Sequence, residues 1–266
     1  MTMRSSRNEE VLLLEQQEDL LVATLNRPQK ANALSTEVIL AIGALAKQLR
    51  PGGRFADTRA VVITGSGLQA FSAGADIHNL AGLTESRAIE HMRTGQIILD
   101  ALEDSPQVII AAINGVAFGG GLELAMACDI RVASPAARFG QLEITLGNLP
   151  GWGGTQRLPR LIGEGRALEL ILTGDQIDAQ RAQAIGLVNS VADDPLSSAL
   201  DLAARIAAMS STAVAAAKRA VYTGARSGIA SGLKTEATLV GQCSVSPEQR
   251  AAVQAFFDRK KPNSTK

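Results

Sequence analysis

Two glutamates, Glu123 and Glu143, are the side chains of this sequence best suited to acid–base chemistry. Glu123 stands alone among apolar residues in LELAMAC, and Glu143 lies among apolar residues and glycines in QLEITLGNLPGWGG. A carboxylate is rarely buried without a partner or a function. When two carboxylates share a partly desolvated site, one pKa rises, so one group can hold a proton near neutrality while the other stays ionised. The pair therefore suits general acid–base catalysis. The alternative is that Glu123 only complements a helix N-terminus and that Glu143 is a loop carboxylate.

Glycine-rich backbone near these glutamates could bind a developing negative charge. Three consecutive glycines, Gly119 to Gly121, follow an apolar run, Val108 to Ile113, and lead into the segment that carries Glu123. Glycine lets a ligand approach the backbone closely, and a helix N-terminus offers unpaired N–H groups. The loop FSAGAD offers another N–H at Ala75, although such small-residue loops are often ordinary connections. Together, the N–H groups of Ala75 and Gly120 predict an oxyanion hole for a thioester or enolate oxygen.

The elements that must position these groups alternate between strand and helix in the first half of the chain. The apolar runs Ala60 to Thr64 and Val108 to Ile113 predict strands covered on both faces, and segments with helical spacing separate them. This order predicts an α/β fold with parallel strands and helical crossovers. After Trp152 the pattern is helical, and only Val188 to Val191 predicts a strand there.

Composition argues against several other classes of protein. The chain has 266 residues with 26 basic and 26 acidic side chains and 3% aromatic residues, which does not favour a nucleic-acid partner. With two histidines a histidine-rich metal site is not expected, and two cysteines without a CxxC pair favour a reduced, cytoplasmic protein. No apolar run approaches the roughly 20 residues of a membrane span, and the polar N-terminal segment lacks the apolar core of a signal peptide. We therefore expect a cytoplasmic protein with no metal, membrane or nucleic-acid partner.

Other patterns suggest different functions and are less favoured. Gly65 to Ala70 reads GSGLQA and matches the G-x-G-x-x-A dinucleotide fingerprint, but a small-residue loop follows where that fingerprint needs a helix. Ser72 and His78 could indicate a serine hydrolase, but the sequence has no G-x-S-x-G elbow and neither histidine has an obvious carboxylate partner. The basic run Arg259 to Lys261 is either a solvated tail or a phosphate contact.

Long segments of the chain resemble the enoyl-CoA hydratase family, also called the crotonase family. They are FSAGADI, AAINGVAFGGGLELAMACDIRVAS, FGQLEITLGNLPGWGGTQRLPRLIG and TGDQIDAQRAQAIGLVNSV, and LNRPQKANAL is similar to the first signature of the family. The resemblance covers about Leu20 to Val191 and is weaker through the C-terminal helices. It implies a crotonase fold, with repeated ββα units in a spiral core at residues 1–195 and a helical oligomerisation region at residues 196–266. It also implies a homotrimer, or a homohexamer built as a dimer of trimers.

The same resemblance implies a reaction. The substrate would be an acyl-CoA thioester, and no cofactor beyond this coenzyme A would be needed. Ala75 and Gly120 match the two positions whose N–H groups hold the thioester oxygen. Glu123 and Glu143 match the two glutamates of hydratases, which hold one water beside the β-carbon, and Glu143 would deliver a proton to the α-carbon. The pattern implies a 2-enoyl-CoA hydratase, which adds water reversibly and with syn geometry across the C2=C3 bond.

The resemblance further implies a set of residues that bind the substrate and its coenzyme A. They are Lys30, Ala31, Ala73, Ala75, Asp76, Ile77, His78, Gly119, Gly120 and Trp152. His78 departs from the family pattern because related hydratases often have lysine there, so contacts to the CoA phosphates are expected to differ. Trp152 departs from it because a small residue is usual in PGWGG, and its indole is expected to narrow or reshape the acyl pocket.

Some alternatives stay open on sequence alone. An enoyl-CoA isomerase would move a double bond without water and would need Glu143 but not Glu123. A specialised hydratase or dehydratase would act on a branched, cyclic or aromatic acyl-CoA. A non-catalytic scaffold would bind a CoA thioester or RNA, but the intact glutamate pair and the low aromatic content count against it.

Overall fold

Two β-sheets and a series of α-helices make up this computed structural model, which describes residues 10–79 and 81–259. The strands are β1 Leu12–Gln17, β2 Leu20–Leu25, β3 Ala60–Gly65, β4 Ala70–Ser72, β5 Val108–Ile113, β6 Val116–Phe118, β7 Ile130–Ala133, β8 Arg138–Gly140, β9 Ile177–Asp178 and β10 Ser190–Val191. The α-helices are α1 Thr36–Gln48, α2 Glu85–Glu103, α3 Gly120–Ala127, α4 Gly154–Ile162, α5 Glu164–Thr173, α6 Ala179–Ala184, α7 Pro195–Ala207, α8 Ser211–Ser227, α9 Ile229–Ser244 and α10 Pro247–Arg259. Short 3₁₀ turns cover Pro28–Lys30, Ile77–Asn79 and Glu143–Leu146.

The larger sheet is almost entirely parallel and lies in the hydrophobic core. Its strand order is β1-β2-β3-β5-β7-β10, and only β1 and β2 pair antiparallel. Every residue of β3 and β5 is buried. Their continuous apolar sequences are typical of parallel strands covered on both faces, so this prediction is confirmed.

The smaller sheet determines where the candidate site lies. Its order is β4-β6-β8-β9, and β4, β6 and β8 run parallel. Each of these three strands directly follows a strand of the larger sheet, and a helix follows β4 and β6, which confirms the expected ββα repeat. The carboxyl ends of neighbouring parallel strands meet at one edge of a sheet, where α/β proteins commonly bind ligands.

The strands of this smaller sheet were not evident from the sequence pattern. β4, β6 and β8 have three residues each, which is too few to display a two-residue alternation. The expectation that Val188 to Val191 is the only strand after Trp152 is wrong, because β9 follows Trp152 as well and pairs with β8. The strand near Val188 shortens to Ser190–Val191 and pairs with β7.

The GSGLQA segment does not open a helix. β3 ends at Gly65 and β4 begins at Ala70, as expected for a turn rather than for a dinucleotide site. Asn32 Nδ2 donates to Ala70 O at 2.7 Å, and Asn114 Nδ2 donates to the carbonyl oxygens of Gly65 and Gly67. These side chains satisfy backbone groups of the turn and fix the start of β4.

The described chain divides into two compact units between Arg205 and Ile206. The first unit holds both sheets, α1 to α6, and α7 up to Arg205. The second unit holds α8, α9 and α10, and Gly232 is the one described residue of these helices that is buried. Within the described ranges, no single helix is long and apolar enough to cross a membrane, and only the bent pair of α7 and α8 together reaches that length and composition.

Candidate active site

The carboxyl ends of β4, β6 and β8 bring the predicted chemical groups together. The loop after β4 carries Ala75, the turn after β6 carries Gly119 and Gly120, and the turn after β8 carries Glu143. α3 begins at Gly120 and carries Glu123 in its first turn. Successive ββα units therefore supply the backbone donors and the carboxyls to one edge of the smaller sheet.

The N–H groups of Ala75 and Gly120 lie side by side. A Cβ atom added at Gly120 would be 3.3 Å from the Ala75 nitrogen, and one added at Gly74 would be 3.4 Å from the Gly120 nitrogen. Among the described residues, neither N–H donates to a protein acceptor. Two adjacent free donors at the start of a helix can bind one oxygen that gains negative charge.

The backbone conformation of Gly119 explains why glycine connects β6 to α3. Its φ of 48° with ψ of −124° is strained for a residue that carries a side chain. A Cβ atom there would also lie 3.0 Å from Oε1 of Glu143. Glycine therefore allows the Glu143 carboxyl to approach the turn that leads to Gly120.

A neighbouring loop holds the backbone of Ala75 in place. Leu34 N donates to Gly74 O at 2.8 Å, and Asp76 N donates to Leu34 O at 3.1 Å. This parallel bridge uses the carbonyl before Ala75 and the N–H after it. The N–H of Ala75 itself is left for a ligand.

Asp76 anchors this loop through contacts with His78 and Arg27. Its carboxylate lies 3.0 Å from Nδ1 of His78 and 3.0 Å from Nη1 of Arg27. The hydrogen bonds from His78 and then from Arg27 hold the pKa of Asp76 below its usual value. The expectation that neither histidine has a carboxylate partner is therefore wrong for His78. Ser72 is fully buried, whereas the His78 side chain is 87% exposed, so these two residues do not form a nucleophile–base pair.

Glu123 is buried, with 2% of its surface exposed. Its Oε1 accepts hydrogen bonds from the N–H groups of Trp152 and Gly154, both at 2.7 Å. Burial raises the pKa of Glu123 to about 7, the negative charge of Glu143 adds to this rise, and the two backbone hydrogen bonds oppose it. The carboxyl can therefore gain or lose a proton near neutral pH.

Glu143 begins the 3₁₀ turn after β8 and is half-buried. With its amide nitrogen oriented toward Glu143, Gln141 donates to both carboxylate oxygens, at 3.1 and 3.0 Å. Burial raises the pKa of Glu143 as well. Sequence reasoning missed Gln141, although a polar residue two positions before a candidate glutamate was a signal that could have found it.

Arg157 supports the segment that donates to Glu123. Its guanidinium donates to Trp152 O at 3.0 Å and pairs with Asp100 at 2.6 Å and with Glu103 at 3.3 Å. Both acidic residues lie on α2, so these contacts tie the start of α4 to α2. Sequence reasoning missed Arg157 because no local pattern connects it to partners on a helix so distant in the chain.

Most of the other residues predicted to bind the substrate lie on the loops after β2 and after β4, which pair with each other. Trp152 lies beside Gly120. Ala73 N donates to Ala31 O at 2.9 Å, which joins the two loops. The exposed members of the predicted set are Lys30, Ala73, Ile77 and His78, and the half-buried members are Ala31, Ala75 and Asp76. Trp152 is buried, and its ring contacts Gly120.

Two further predictions concern charge and metal. The basic run Arg259 to Lys261 lies outside the described side chains, so a phosphate contact there stays a prediction. Within the described ranges, no three histidine, cysteine, aspartate or glutamate side chains form a group that could hold a metal ion.

This arrangement can polarise a carbonyl and move protons beside it. Two free N–H groups can hold an oxygen that becomes negative, as it does when a thioester passes to its enolate. Burial raises the pKa values of both carboxyls, that of Glu123 to about 7, which suits them to give and take protons. The geometry therefore suits acid–base chemistry at the carbons next to a thioester.

Comparisons with known proteins agree with this chemistry. The sequence profile of the enoyl-CoA hydratase/isomerase family matches residues 15–266. The chain is 39% identical over 256 residues to a crotonyl-CoA hydratase of Syntrophomonas wolfei, with 96% of this chain and 97% of that protein covered. It is 37% identical over 252 residues to a short-chain-enoyl-CoA hydratase of Clostridium acetobutylicum, with 94% of this chain and 95% of that protein covered. A crystal structure of an enoyl-CoA hydratase from Bacillus anthracis matches with a TM-score of 0.88 at 37% identity, covering 95% of this chain and 98% of that one. This chain therefore belongs to the enoyl-CoA hydratase/isomerase family and has its crotonase fold.

Proposed function

We propose that this protein is a 2-enoyl-CoA hydratase, which adds water reversibly and with syn geometry across the C2=C3 bond of an acyl-CoA thioester. The observation that carries the proposal is the combination of two carboxyls of raised pKa with two free backbone N–H groups. The names of the relatives from Syntrophomonas wolfei and Clostridium acetobutylicum, which are both hydratases, support it.

The N–H groups of Ala75 and Gly120 bind the thioester oxygen in this proposal. As water adds at C3, negative charge develops on that oxygen and an enolate forms. Donors that are already in place stabilise this charge without reorganisation, and the loss of one such donor typically costs about 3 kcal/mol in the barrier.

The two glutamates divide the proton transfers. Oε1 of Glu123 is occupied by two backbone N–H groups, so its other oxygen is left to hold the water and take its proton. Glu143 delivers a proton to C2, and the amide of Gln141 holds that carboxyl in one orientation. The scheme needs no cofactor beyond the coenzyme A of the substrate.

Hydration of crotonyl-CoA tests this function, because it removes the absorbance of the conjugated enoyl thioester. Glu123→Gln and Glu143→Gln are each expected to lower kcat by about 10²–10⁴-fold, the usual contribution of a general acid or base. Glutamine is close in shape to glutamate, so both variants should still bind the thioester. A parent protein that binds crotonyl-CoA without hydrating it would contradict the proposal. Conversion of a 3-enoyl-CoA to a 2-enoyl-CoA that survives Glu123→Gln would favour the isomerase alternative.

We further propose that the paired loops around Lys30 and His78 bind the coenzyme A moiety. Both side chains are exposed on loops that join the Ala75 segment, which supports contact with a polar, anionic ligand. The hydrogen bond between Nδ1 of His78 and Asp76 would orient the imidazole beside the oxyanion loop.

We also propose that residues 196–266 form an oligomerisation region and that the protein is a homotrimer or a homohexamer. Large exposed apolar patches mark interaction surfaces. The exposed apolar side chains of α8, α9 and α10 that support this proposal are Val221, Ile229, Leu233, Val240, Val253, Phe256 and Phe257. A cytoplasmic location and the lack of a nucleic-acid partner stay predictions from composition.

A further inference from the structure

Trp152 fills the space between α2 and the start of α3. Its indole is buried, with 2% of the residue exposed. A Cβ atom added at Gly120 would lie 2.7 Å from Cζ3, and one added at Gly95 on α2 would lie 2.7 Å from Cε2. The indole therefore contacts the oxyanion residue along its benzene edge and α2 along its pyrrole edge.

A glycine in α2, Gly95, leaves room for this ring. Gly95 lies in the interior of a 19-residue helix, where glycine is less favourable than alanine because of its backbone entropy. Any larger residue there would overlap the pyrrole ring, so we call the gap at Gly95 the glycine notch. His91, one turn earlier, contacts the indole with ring centroids 5.9 Å apart, and Gln96 Nε2 donates to Gly151 O at 2.8 Å. The ring and its loop are thus both fixed on α2.

Shape rather than hydrogen bonding holds the indole in the glycine notch. Nε1 of Trp152 is buried and has no hydrogen-bond partner among the described residues. A buried N–H group normally finds a partner. The volume of the ring, rather than its N–H group, therefore determines how Trp152 packs against α2.

The indole lies beside the groups that the proposed reaction uses. The backbone N–H of Trp152 bonds to Glu123 and its ring contacts Gly120. The residue therefore borders the groups that the proposed reaction places around C1 to C3. Carbons beyond C3 that continue past Gly120 toward α2 meet the ring.

We propose that Trp152, seated in the glycine notch, closes the acyl pocket just beyond the reacting carbons and restricts the enzyme to short-chain 2-enoyl thioesters. This inference rests on the proposed hydratase function. A misfit of a single methylene in an apolar pocket changes kcat/KM by about 10–200-fold, so the length limit should be sharp.

Values of kcat/KM for 2-enoyl-CoA thioesters of four to ten carbons test the inference. The parent is expected to prefer the four-carbon over the eight-carbon substrate by about 100-fold or more. Trp152→Ala should reduce that ratio by at least about tenfold, because it opens space for the longer chain. Adding Gly95→Leu to Trp152→Ala refills the space from α2 and should restore the preference. Leu40→Ala, at an exposed position of α1, is the control and should leave the ratio unchanged.

The outcomes separate this inference from the hydratase function. A parent that hydrates four-carbon and eight-carbon substrates equally well would overturn the length limit and leave the function standing. Equal losses at every chain length in Trp152→Ala would also overturn it, since Trp152 would then act only by supporting Glu123. A parent inactive at every length would overturn both.

A measurement on the parent alone covers the case in which Trp152→Ala does not fold. Butyryl-CoA and octanoyl-CoA have no double bond to hydrate and should act as competitive inhibitors. An inhibition constant at least about tenfold higher for octanoyl-CoA would support the length limit. Equal constants would contradict it.

Discussion

The Glu123 carboxyl is subject to two opposing effects. Burial removes water from its charged form, whereas the N–H groups of Trp152 and Gly154 stabilise charge on Oε1. Burial is the larger effect, because it raises the pKa of Glu123 from 4.5 to about 7. At neutral pH the group is close to half ionised, which is the condition under which a carboxyl exchanges protons most readily in both directions of a reversible hydration.

Glu123→Gln should change how stability depends on pH. Glutamate in the unfolded chain has its ordinary pKa of 4.5, whereas the pKa of Glu123 in the folded protein is about 7. Between these values the folded state binds more protons than the unfolded state. The contribution of Glu123 protonation to the free energy of unfolding is therefore complete below pH 4.5 and is lost as pH rises through 7. It amounts to about 3 kcal/mol in total. Glutamine keeps an oxygen for the two N–H donors and carries no charge at any pH.

Urea unfolding at pH 4.5 and at pH 8, at one protein concentration, measures this effect. The free energy of unfolding of Glu123→Gln, relative to the parent, should rise by about 3 kcal/mol from the lower to the higher pH. Parallel profiles for the two proteins would contradict a raised pKa at Glu123.

Residues whose chemical role is indicated by their neighbours in the sequence could be predicted. Glu123 and Glu143 stand out as carboxylates among apolar neighbours, and the structure brings them to one edge of the smaller sheet together with Gly120. Gln141 lies two residues before Glu143, so the sequence held a signal for it, although the sequence does not show that its amide binds that carboxylate. Arg157 could not be predicted, since only folding brings its acidic partners on α2 near. A surface arginine and a buried one have the same local pattern.

At the scale of elements, α3 is the helix whose position matters most, because it carries the Gly120 N–H at its start. Arg131 is buried at the other end of this helix. Its Nη1 donates to Cys128 O at 2.7 Å and to Ala125 O at 3.3 Å, and its Nε donates to Leu187 O at 2.8 Å. The last carbonyls of a helix have no intrahelical partner, so this guanidinium satisfies the buried end of α3.

Arg131→Met should destabilise the protein by about 3 kcal/mol or more, because hydrogen bonds to charged groups contribute about 1.5–3 kcal/mol each and the carbonyls stay buried. Arg131→Lys keeps the charge without the planar fork and should lose less. Urea unfolding of both variants measures the difference. Since Arg131 lies on β7 and contacts the end of α3 opposite Gly120, the protein that remains folded should keep its hydratase activity. An Arg131 variant that loses activity but keeps its stability would contradict this prediction.

Element length decides which elements could be predicted. β3 and β5 show unbroken apolar runs, and Ser35 marks the start of α1, where its hydroxyl accepts from Val38 N. β4, β6 and β8 show no such pattern, because three residues contain less than two periods of alternation. Their pairing depends on strands of the larger sheet that bring them side by side. The site lies at the carboxyl ends of these short strands, so its glutamates and glycines and the family resemblance could indicate it, but periodicity could not.

At the scale of the whole molecule, the apolar side chains of α8, α9 and α10 are expected to be covered by other copies of the chain. Light scattering should give a mass three or six times the 27.7 kDa of one chain. Burying one leucine contributes about 1.5–3 kcal/mol, so Leu233→Glu, at a residue that is 57% exposed on α9, should lower the mass by weakening the interface. The mass of a single chain for the parent would rule out this oligomer.

The ββα repeat divides the proposed chemistry among successive units. The unit that contains β4 supplies one N–H donor, the unit that contains β6 supplies the second donor and the Glu123 carboxyl, and the unit that contains β8 supplies Glu143. Formation of the enolate thus depends on the first two of these units, whereas its protonation depends on the third. An enolate is an intermediate from which several reactions can begin. The segment after β8 is therefore the place where evolution or protein engineering could redirect this intermediate to a new product without rebuilding the part of the molecule that generates it.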